Sequence, residues 1–244
     1  MNGNRLAPAQ LEQFRRLSTC VVASAIETFR VRLPNAGFAN SSVRCMFPEL
    51  PPVAGYAATA RIRTSAPPME GHSYYFRTEW WEEILRIPPP RIVVVQDLDN
   101  PPGLGAFVGE VHAHILQALG SLAFVTNGAV RDLDLVRAAS FQLFAGNVSV
   151  SHAYAHVFDF GGNVEIGGLT IHPGDLVHAD EHGVQTIPLE IAAQIPDAAA
   201  EVLKRRQYFI GLCRSGNFSL DSLRGAMEEQ GELDVERAPK GTGS

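Results

Sequence analysis

The stretch Thr126-Asn127-Gly128-Ala129-Val130-Arg131-Asp132-Leu133-Asp134 organises this chain of 244 residues. A short apolar run at 122–125 precedes it and predicts a buried strand, which would deliver the charged end to the mouth of a cleft. An adjacent Arg131-Asp132 pair offers a planar fork for a carboxylate or a developing oxyanion, together with a hard oxygen ligand for a divalent cation. The alternative interpretation is a surface ion pair, which contributes about 0–1 kcal/mol.

A second carboxylate, Glu110, lies upstream of this pair. The 20 residues at 111–130 separate Glu110 from Arg131, which is enough for one helix and one strand that return to the same edge. Gly128 permits backbone conformations closed to other residues, and Gly109 lets the helix that begins near Glu110 approach closely. Glu110, Arg131 and Asp132 are therefore the candidate catalytic residues.

The helix predicted to start at Gly109-Glu110-Val111-His112 suggests an anion site. Backbone N–H groups in a first helical turn have no partner within the helix and attract carboxylates. We therefore expect Gly109, Val111 and His112 to contribute to substrate binding, with Val111 and His112 supplying two N–H donors.

Composition limits the class of protein. Hydrophobic residues make up 45% and charged residues 19%, as in ordinary soluble globular proteins, and no break in composition divides the chain. A net charge of −6 argues against a nucleic-acid partner, and no apolar run is long enough to predict a membrane partner. Three widely spaced cysteines favour a reducing compartment. We expect a cytoplasmic protein with one domain at 1–230 and a flexible tail at 231–244.

Hydrophobic periodicity predicts both helices and strands along the chain. The expected helices cover residues 8–17, 19–29, 74–87, 110–119, 133–139, 198–212 and 218–227. The expected strands cover residues 43–46, 55–63, 91–96, 122–125, 141–144, 157–160, 164–166, 169–171, 176–178 and 184–187. The continuous apolar run at 91–96 is typical of a sheet that is covered on both faces.

Several other polar groups have two interpretations. Asp97, Asp99 and Asn100 are possible metal ligands, but their sequence is also good turn chemistry, which we favour. Two histidine pairs are spaced four residues apart, as zinc ligands on one helix face would be. The pairs are His152 with His156 and His178 with His182. Neither falls on a predicted helix, so surface or hydrogen-bonded histidines are favoured over a zinc site. The polar segment 149–154 is a further candidate for ligand contact.

A set of spaced motifs resembles the RraA-like family, which includes the regulator of ribonuclease activity A and the class II pyruvate aldolases. The resemblance covers roughly residues 18–225. It rests on 55–59 (GYAAT), Gly109-Glu110, 128–132 (GAVRD), Phe144-Ala145, Gly167-Gly168, 173–177 (PGDLV), Ala179-Asp180 and Gly183-Val184.

This resemblance implies an α/β fold, a layered α-β-β-α sandwich similar to the swivelling phosphohistidine domain, assembled as a homotrimer or homohexamer. Family members with an acidic residue, twenty residues and then Arg-Asp resemble aldolases, and Glu110, Arg131 and Asp132 satisfy that spacing. The implied activity is cleavage of 4-hydroxy-4-methyl-2-oxoglutarate-type 4-hydroxy-2-oxo acids to pyruvate, with oxaloacetate decarboxylation. The alternative is a non-catalytic regulator that binds a ribonuclease.

The resemblance also implies roles for the candidate residues. Asp132 would bind Mg²⁺ or Mn²⁺, Arg131 would stabilise the enolate of pyruvate, and Glu110 would act as acid and base through a water. A glutamate that the family's aldolases often supply from a neighbouring subunit corresponds to Arg206 or Gln207 in this chain. No lysine lies near these motifs, which disfavours a Schiff-base aldolase.

Overall fold

The computed structural model describes residues 5–68 and 78–231. Its helices are α1 (Pro8–Phe14), α2 (Thr19–Phe29), α3 (Thr78–Arg86), α4 (Glu110–Ala118), α5 (Leu133–Ala138), α6 (Ile195–Arg214) and α7 (Leu220–Glu229). Its strands are β1 (Arg44–Cys45), β2 (Val53–Arg63), β3 (Arg91–Asp97), β4 (Ala106–Val108), β5 (Ser121–Thr126), β6 (Ala129–Val130), β7 (Gln142–Ala145), β8 (Asn147–Val148), β9 (His156–Phe160), β10 (Val164–Ile166), β11 (Leu169–Ile171), β12 (Leu176–Asp180) and β13 (Gly183–Ile187).

An eight-stranded mixed sheet forms the centre of the fold. Seven strands follow the order β1-β7-β5-β3-β2-β12-β13, and the eighth, β9, also pairs with β2. Strands β2, β3, β5 and β7 run parallel, whereas β12 and β9 pair antiparallel with the first and second halves of the long strand β2. Phe38 forms a bridge to Gln185 in β13, and β1 pairs with β7 a few residues later. This segment runs between the two edges of the sheet, so the sheet is nearly closed, like a barrel.

A second, three-stranded parallel sheet, β4-β6-β8, continues from the first. The chain passes from β5 to β6 through Asn127-Gly128 and from β7 to β8 through Gly146. These crossings are crowded, because a Cβ atom on Gly146 would lie 2.3 Å from the backbone oxygen of Asn127, and one on Gly128 would lie 2.9 Å from Cβ of Asp97. The absence of a side chain at Gly128 and Gly146 therefore allows these two segments of the chain to cross side by side.

Both faces of the sheet are buried. Along β3, Val93 and Val95 pack with the helices α3, α4 and α5, whereas Ile92 and Val94 pack with the β10-β11 hairpin on the other face. A third apolar cluster joins α1, α2 and α6 to the β2-β12-β13 edge. Alternate side chains of one apolar strand thus enter two cores, which confirms the prediction from the 91–96 run.

The α/β fold class is confirmed, and the predicted helices and strands within the described residues are present with small shifts at their ends. Ser18 caps α2, since its side chain accepts a hydrogen bond from the Val21 N–H. Trp80 of α3 is 2% exposed and belongs to the core. The first part of the helix predicted at 74–87 and the tail after Gly231 lie outside the described residues.

The likeness to the swivelling phosphohistidine domain stays a prediction. Among the helices of the described residues, none has an apolar stretch long enough to span a bilayer.

Candidate functional site

The ends of two neighbouring strands bring the three candidate catalytic residues together. Strands β4 and β6 pair in parallel, with Val108 opposite Val130, and the Arg131 N–H donates a hydrogen bond to the Val108 carbonyl at 3.0 Å. The chain leaves both strands at the same edge, so Glu110 follows one strand and Arg131-Asp132 follows the other. The Glu110 N–H donates to Oδ2 of Asp132 at 3.2 Å. The backbone of Glu110 and the carboxylate of Asp132 are thus in direct contact.

Gly109 is the residue that permits this close approach. It is the N-cap of α4, and its backbone is extended, with φ −135° and ψ −159°. A Cβ atom at this position would lie 2.4 Å from Oδ2 of Asp132 and 2.9 Å from Cγ of Arg131. The absent side chain therefore makes the space in which the Asp132 carboxylate reaches the helix end.

Asp132 occupies a left-handed backbone conformation, with φ 55° and ψ 40°, which is uncommon for residues other than glycine. Its Oδ1 accepts a hydrogen bond from Nε of Arg131 at 3.1 Å, and its Oδ2 faces the N-terminal end of α4. The two side chains are 29% and 32% exposed. The site is therefore an open, polar edge of the small sheet.

A carboxylate offers about four acceptor positions, and the two hydrogen bonds to Asp132 leave each of its oxygens able to take another ligand. The terminal amino groups of Arg131 make no hydrogen bond or ion pair within residues 5–68 and 78–231. One face of the guanidinium fork is thus available for an anionic substrate.

The oxygen donors of this site fit a hard divalent cation. No group of three or more His, Cys, Asp or Glu side chains able to hold a metal occurs within the described part of the chain. Protein ligands at the site would therefore be one or two carboxylates, from Asp132 and Glu110. Mg²⁺ accepts such a sparse set, because it dehydrates reluctantly and keeps several waters, and Mn²⁺ also favours carboxylate and water ligands.

The two predicted N–H donors at the start of α4 differ in their side chains. Val111 is 65% exposed at the rim of the site, whereas His112 is 3% exposed and stacks on Phe107 with ring centroids 5.7 Å apart. Burial, with a smaller contribution from His152, lowers the pKa of His112 to about 4. The imidazole is therefore a neutral core group, and only the backbone of His112 faces the helix end.

A third strand end lies beside the other two and was not predicted. Strand β8 pairs with β6, and the Ser149 N–H donates to the Val130 carbonyl at 3.1 Å. Val150, the next residue, is 94% exposed. The polar segment 149–154 was already a candidate for ligand contact, but a strand of two residues carries no periodicity that could have placed it.

The acidic residues after β3 serve the turn, which confirms the favoured interpretation. Asp97 accepts hydrogen bonds from the backbone N–H groups of Asp99 and Gly103, and Asp99 accepts four bonds from the backbone and hydroxyl groups of Thr64 and Ser65. Burial raises the pKa of Asp97. Burial would also raise the pKa of Asp99, but the bonds from Thr64 and Ser65 outweigh it and lower that pKa.

The remaining candidates also have local partners. The four histidines of the two pairs each hydrogen-bond to a backbone carbonyl or a carboxylate, which confirms the hydrogen-bonded interpretation. Arg206 donates to the Ser24 hydroxyl at 2.9 Å and to the Cys20 carbonyl at 3.4 Å within the same chain. Arg206 is one of the two residues that the resemblance places at the family's inter-subunit glutamate, and in this structure it is a surface arginine that joins α6 to α2.

Comparison with known proteins identifies the class. Residues 19–185 match the family described as "RraA-like: Aldolase/RraA", and the chain therefore belongs to the RraA-like family. The resemblance inferred from the spaced motifs is confirmed. That family includes both aldolases and ribonuclease inhibitors.

Two curated relatives match over shorter segments. "Protein DlpA" of Legionella pneumophila is 28% identical over 108 residues, which cover 43% of this chain and 17% of that protein. A "Putative 4-hydroxy-4-methyl-2-oxoglutarate aldolase" of Halalkalibacterium halodurans is 31% identical over 84 residues, which cover 34% of this chain and 40% of that protein. The matches thus span less than half the length of these relatives.

A solved structure of Streptomyces coelicolor RraAS2, described as an unusual member of the RNase ES inhibitor RraA protein family, superposes with a TM-score of 0.66 at 20% identity. The superposition covers 84% of this chain and 98% of RraAS2. At this identity the likeness concerns the fold alone.

Proposed function

We propose that this chain is a divalent-metal-dependent carbon–carbon lyase. It cleaves 4-hydroxy-4-methyl-2-oxoglutarate-type 4-hydroxy-2-oxo acids to pyruvate and also decarboxylates oxaloacetate. The observation that carries the proposal is the contact between the start of α4 and Asp132, which sets Glu110 beside Arg131-Asp132. The name of the relative from Halalkalibacterium halodurans supports the same reaction class.

In this proposal Asp132 would hold a Mg²⁺ or Mn²⁺ ion, and Glu110 would act beside it through a water. When bound, the ion supplies Lewis-acid polarisation of the keto oxygen of the substrate. Both reactions break the bond between the first and second carbon atoms beyond that keto group and leave negative charge on a pyruvate fragment. The shared charge distribution explains why one site would perform both.

The residues of the chain then have separate tasks. Arg131 stabilises the developing negative charge with its terminal amino groups, while its Nε stays bonded to Asp132. The first turn of α4 orients the substrate carboxylate through backbone N–H groups of Val111 and His112. Glu110 accepts the proton of the 4-hydroxyl group through a water and returns a proton to the pyruvate carbon.

The open site also motivates the proposed assembly as a homotrimer or homohexamer. The candidate residues lie at a sheet edge, where the side chains of Arg131 and Asp132 are 32% and 29% exposed and Val150 beside them is 94% exposed. Helices α6 and α7 and the link between them carry further exposed apolar side chains, Leu203, Tyr208, Ile210, Phe218 and Leu220. A neighbouring copy would cover such surfaces and exclude water from the reaction.

Metal-dependent pyruvate release from oxaloacetate tests the proposal. Chelator-treated protein should be inactive and should regain activity with Mg²⁺ or Mn²⁺. Glu110→Gln, Arg131→Ala and Asp132→Asn should each lower turnover by about a hundredfold or more, as expected when one charge-stabilising contact is lost. Arg137→Ala is the matched control, because Arg137 forms a similar ion pair with Asp134 on the exposed side of α5.

The alternative is a non-catalytic regulator that binds a ribonuclease. It is favoured by the structural use of Asp132, whose carboxylate accepts hydrogen bonds from Arg131 and from the start of α4. Absence of activity with oxaloacetate and with the 4-hydroxy-2-oxo acid, at every metal concentration, would support the regulator and reject the lyase.

A further inference from the structure

Strands β3 and β5 stop pairing at the point where the chain leaves the large sheet. Their parallel ladder ends at Val95 opposite Thr126. The backbone then turns away through Asn127 and Gly128 to enter β6. The departing backbone no longer provides hydrogen-bond partners for the end of β3, where Asp97 is only 2% exposed. The buried backbone groups of Asp97 therefore need another donor and another acceptor.

The side chain of Asn127 provides both partners. Its Oδ1 accepts a hydrogen bond from the Asp97 N–H at 2.7 Å, and its Nδ2 donates to the Asp97 carbonyl at 3.0 Å. These two hydrogen bonds form the Asn127 clasp. Because a primary amide carries both a donor and an acceptor, it serves here as one more peptide group of β5.

Asp97 connects the Asn127 clasp to β4. Its carboxylate accepts hydrogen bonds from the backbone N–H groups of Asp99 at 3.0 Å and Gly103 at 2.8 Å. These bonds hold the connection at 98–105, which enters β4 and leads to Glu110. One side of the clasp thus belongs to the segment that delivers Glu110.

The other side of the Asn127 clasp belongs to the segment that delivers Arg131. Strand β6 begins just after Gly128 and ends just before Arg131, whose N–H donates to the Val108 carbonyl across the β4-β6 pair. The turn into β6 is closely packed, because a Cβ atom on Gly128 would lie 2.9 Å from Cβ of Asp97. A shift of Asn127 against Asp97 would therefore be passed along the short strand β6 to Arg131.

We propose that Asn127 is a positioning residue for the strand-end site, which is formed by Glu110, Arg131 and Asp132. Through its clasp on Asp97 it sets the place of β6 relative to the segment that leads to β4, and hence the place of Arg131-Asp132 relative to Glu110. In this role Asn127 touches neither substrate nor metal. Its catalytic consequence rests on the proposed lyase function, whereas its geometric effect can be measured without any activity.

Asn127→Leu is the first test, because leucine is similar in size and makes neither bond of the clasp. Hydrogen exchange of the full chain is followed by mass spectrometry in two segments, 127–132 and the β12-β13 hairpin at 176–187, which pairs with β2. Exchange at 127–132 should become about tenfold faster or more, as expected when two hydrogen bonds are lost, and exchange at 176–187 should not change. Unchanged exchange at 127–132, or the same acceleration in both segments, would overturn the proposal.

Two more variants separate the amide from side-chain size and from general effects. Asn127→Asp has almost the same shape, but a carboxylate oxygen replaces the donor to the Asp97 carbonyl. It should also accelerate exchange at 127–132, and it serves as the test if leucine prevents folding. Exchange at the rate of the unaltered chain would overturn the proposal, because the donor would then not be needed. Asn40→Leu is the matched control, since the Asn40 side chain accepts a single bond from the Ser42 N–H in an exposed turn, and it should leave 127–132 unchanged.

Steady-state kinetics with oxaloacetate and saturating Mg²⁺ measure the catalytic consequence, at a temperature well below the melting transition of each variant. A displaced Arg131 stabilises the developing charge less well, whereas the substrate carboxylate still binds at the start of α4. Asn127→Leu should therefore lower kcat by about tenfold or more and leave KM within a few-fold. Unchanged kcat in an active chain would overturn the positioning role. Selective acceleration of exchange in a chain that is inactive even without substitution would support the positioning of Arg131 by Asn127 and would reject the lyase function alone.

Discussion

Gly109→Ala is the substitution that examines the geometry of the strand-end site most directly. The backbone at Gly109 is extended, so alanine introduces no conformational strain and acts only through the added methyl group. That methyl carbon would lie 2.4 Å from Oδ2 of Asp132, whereas ordinary contacts begin at 3.4 Å. The carboxylate, the helix start or both must therefore move by about 1 Å, which is the difference between those distances.

The expected effects follow from that displacement. A misplacement of about 1 Å in a catalytic group lowers turnover by about a hundredfold. Weakening the hydrogen bond from the Glu110 N–H to Asp132 removes a helix cap, which is worth about 1 kcal/mol. For a protein of this size, 1 kcal/mol corresponds to a fall of about 2–4 °C in melting temperature. Activity should thus collapse while the fold is retained.

The assay combines pyruvate release from oxaloacetate at saturating Mg²⁺ with thermal unfolding of the same samples. Gly162→Ala is the matched control, because a Cβ atom at Gly162 would meet nothing within 4 Å. It should leave both activity and melting temperature unchanged. Activity of Gly109→Ala within a few-fold of the unaltered chain would refute the reasoning, since it would show that the contact with Asp132 does not position the reacting groups.

Two further predictions concern residues other than the proposed catalytic ones. The pKa of His112 falls from 6.5 to about 4 on folding, so stability is complete above pH 6.5 and declines as the pH falls towards 4, where the unfolded chain takes up a proton that the buried ring does not. At about 1.4 kcal/mol per pKa unit, the loss in free energy of unfolding is about 3 kcal/mol. Urea unfolding of His112→Gln should therefore show a shallower decline in stability towards acid pH. The control His114→Gln, at an exposed position, should show the same decline as the unaltered chain. Asp99→Ala leaves the donors of Thr64 and Ser65 unmet and should lower the free energy of unfolding by about 2 kcal/mol. Its turnover at saturating Mg²⁺ should stay within a few-fold, whereas a metal-ligand role would abolish activity.

The convergence of the site residues could be predicted from the sequence because it depends on spacing along one helix and one strand. Helix α4 and strand β5 occupy most of the 20 residues between Glu110 and Arg131, and a parallel strand must end at the same edge as its neighbour. The glycine before Glu110 also indicated a close approach, and the structure shows the atoms that require it.

The small sheet could not be predicted, although it holds the site. Strands β4, β6 and β8 have three, two and two residues, which is too short for any period to appear. The partner that fixes each of them is distant in sequence, as in the hydrogen bond from Ser149 to Val130. The two hydrogen bonds from Thr19 to the Asp180 carboxylate were missed for the same reason, because these residues are 161 positions apart in the sequence.

Glu110 is the residue on which the choice between lyase and regulator depends. Arg131 and Asp132 bind each other, and Asp132 also binds the start of α4, so both would be retained in a protein that performs no chemistry. Within the described residues the carboxylate of Glu110 makes no hydrogen bond or ion pair, and only its backbone N–H is used. Glu110→Gln should therefore change stability by no more than about 0.5 kcal/mol, as for surface substitutions without partners. A large loss of turnover in that variant cannot then be attributed to folding, and unchanged turnover would remove the main physical reason to regard the site as catalytic.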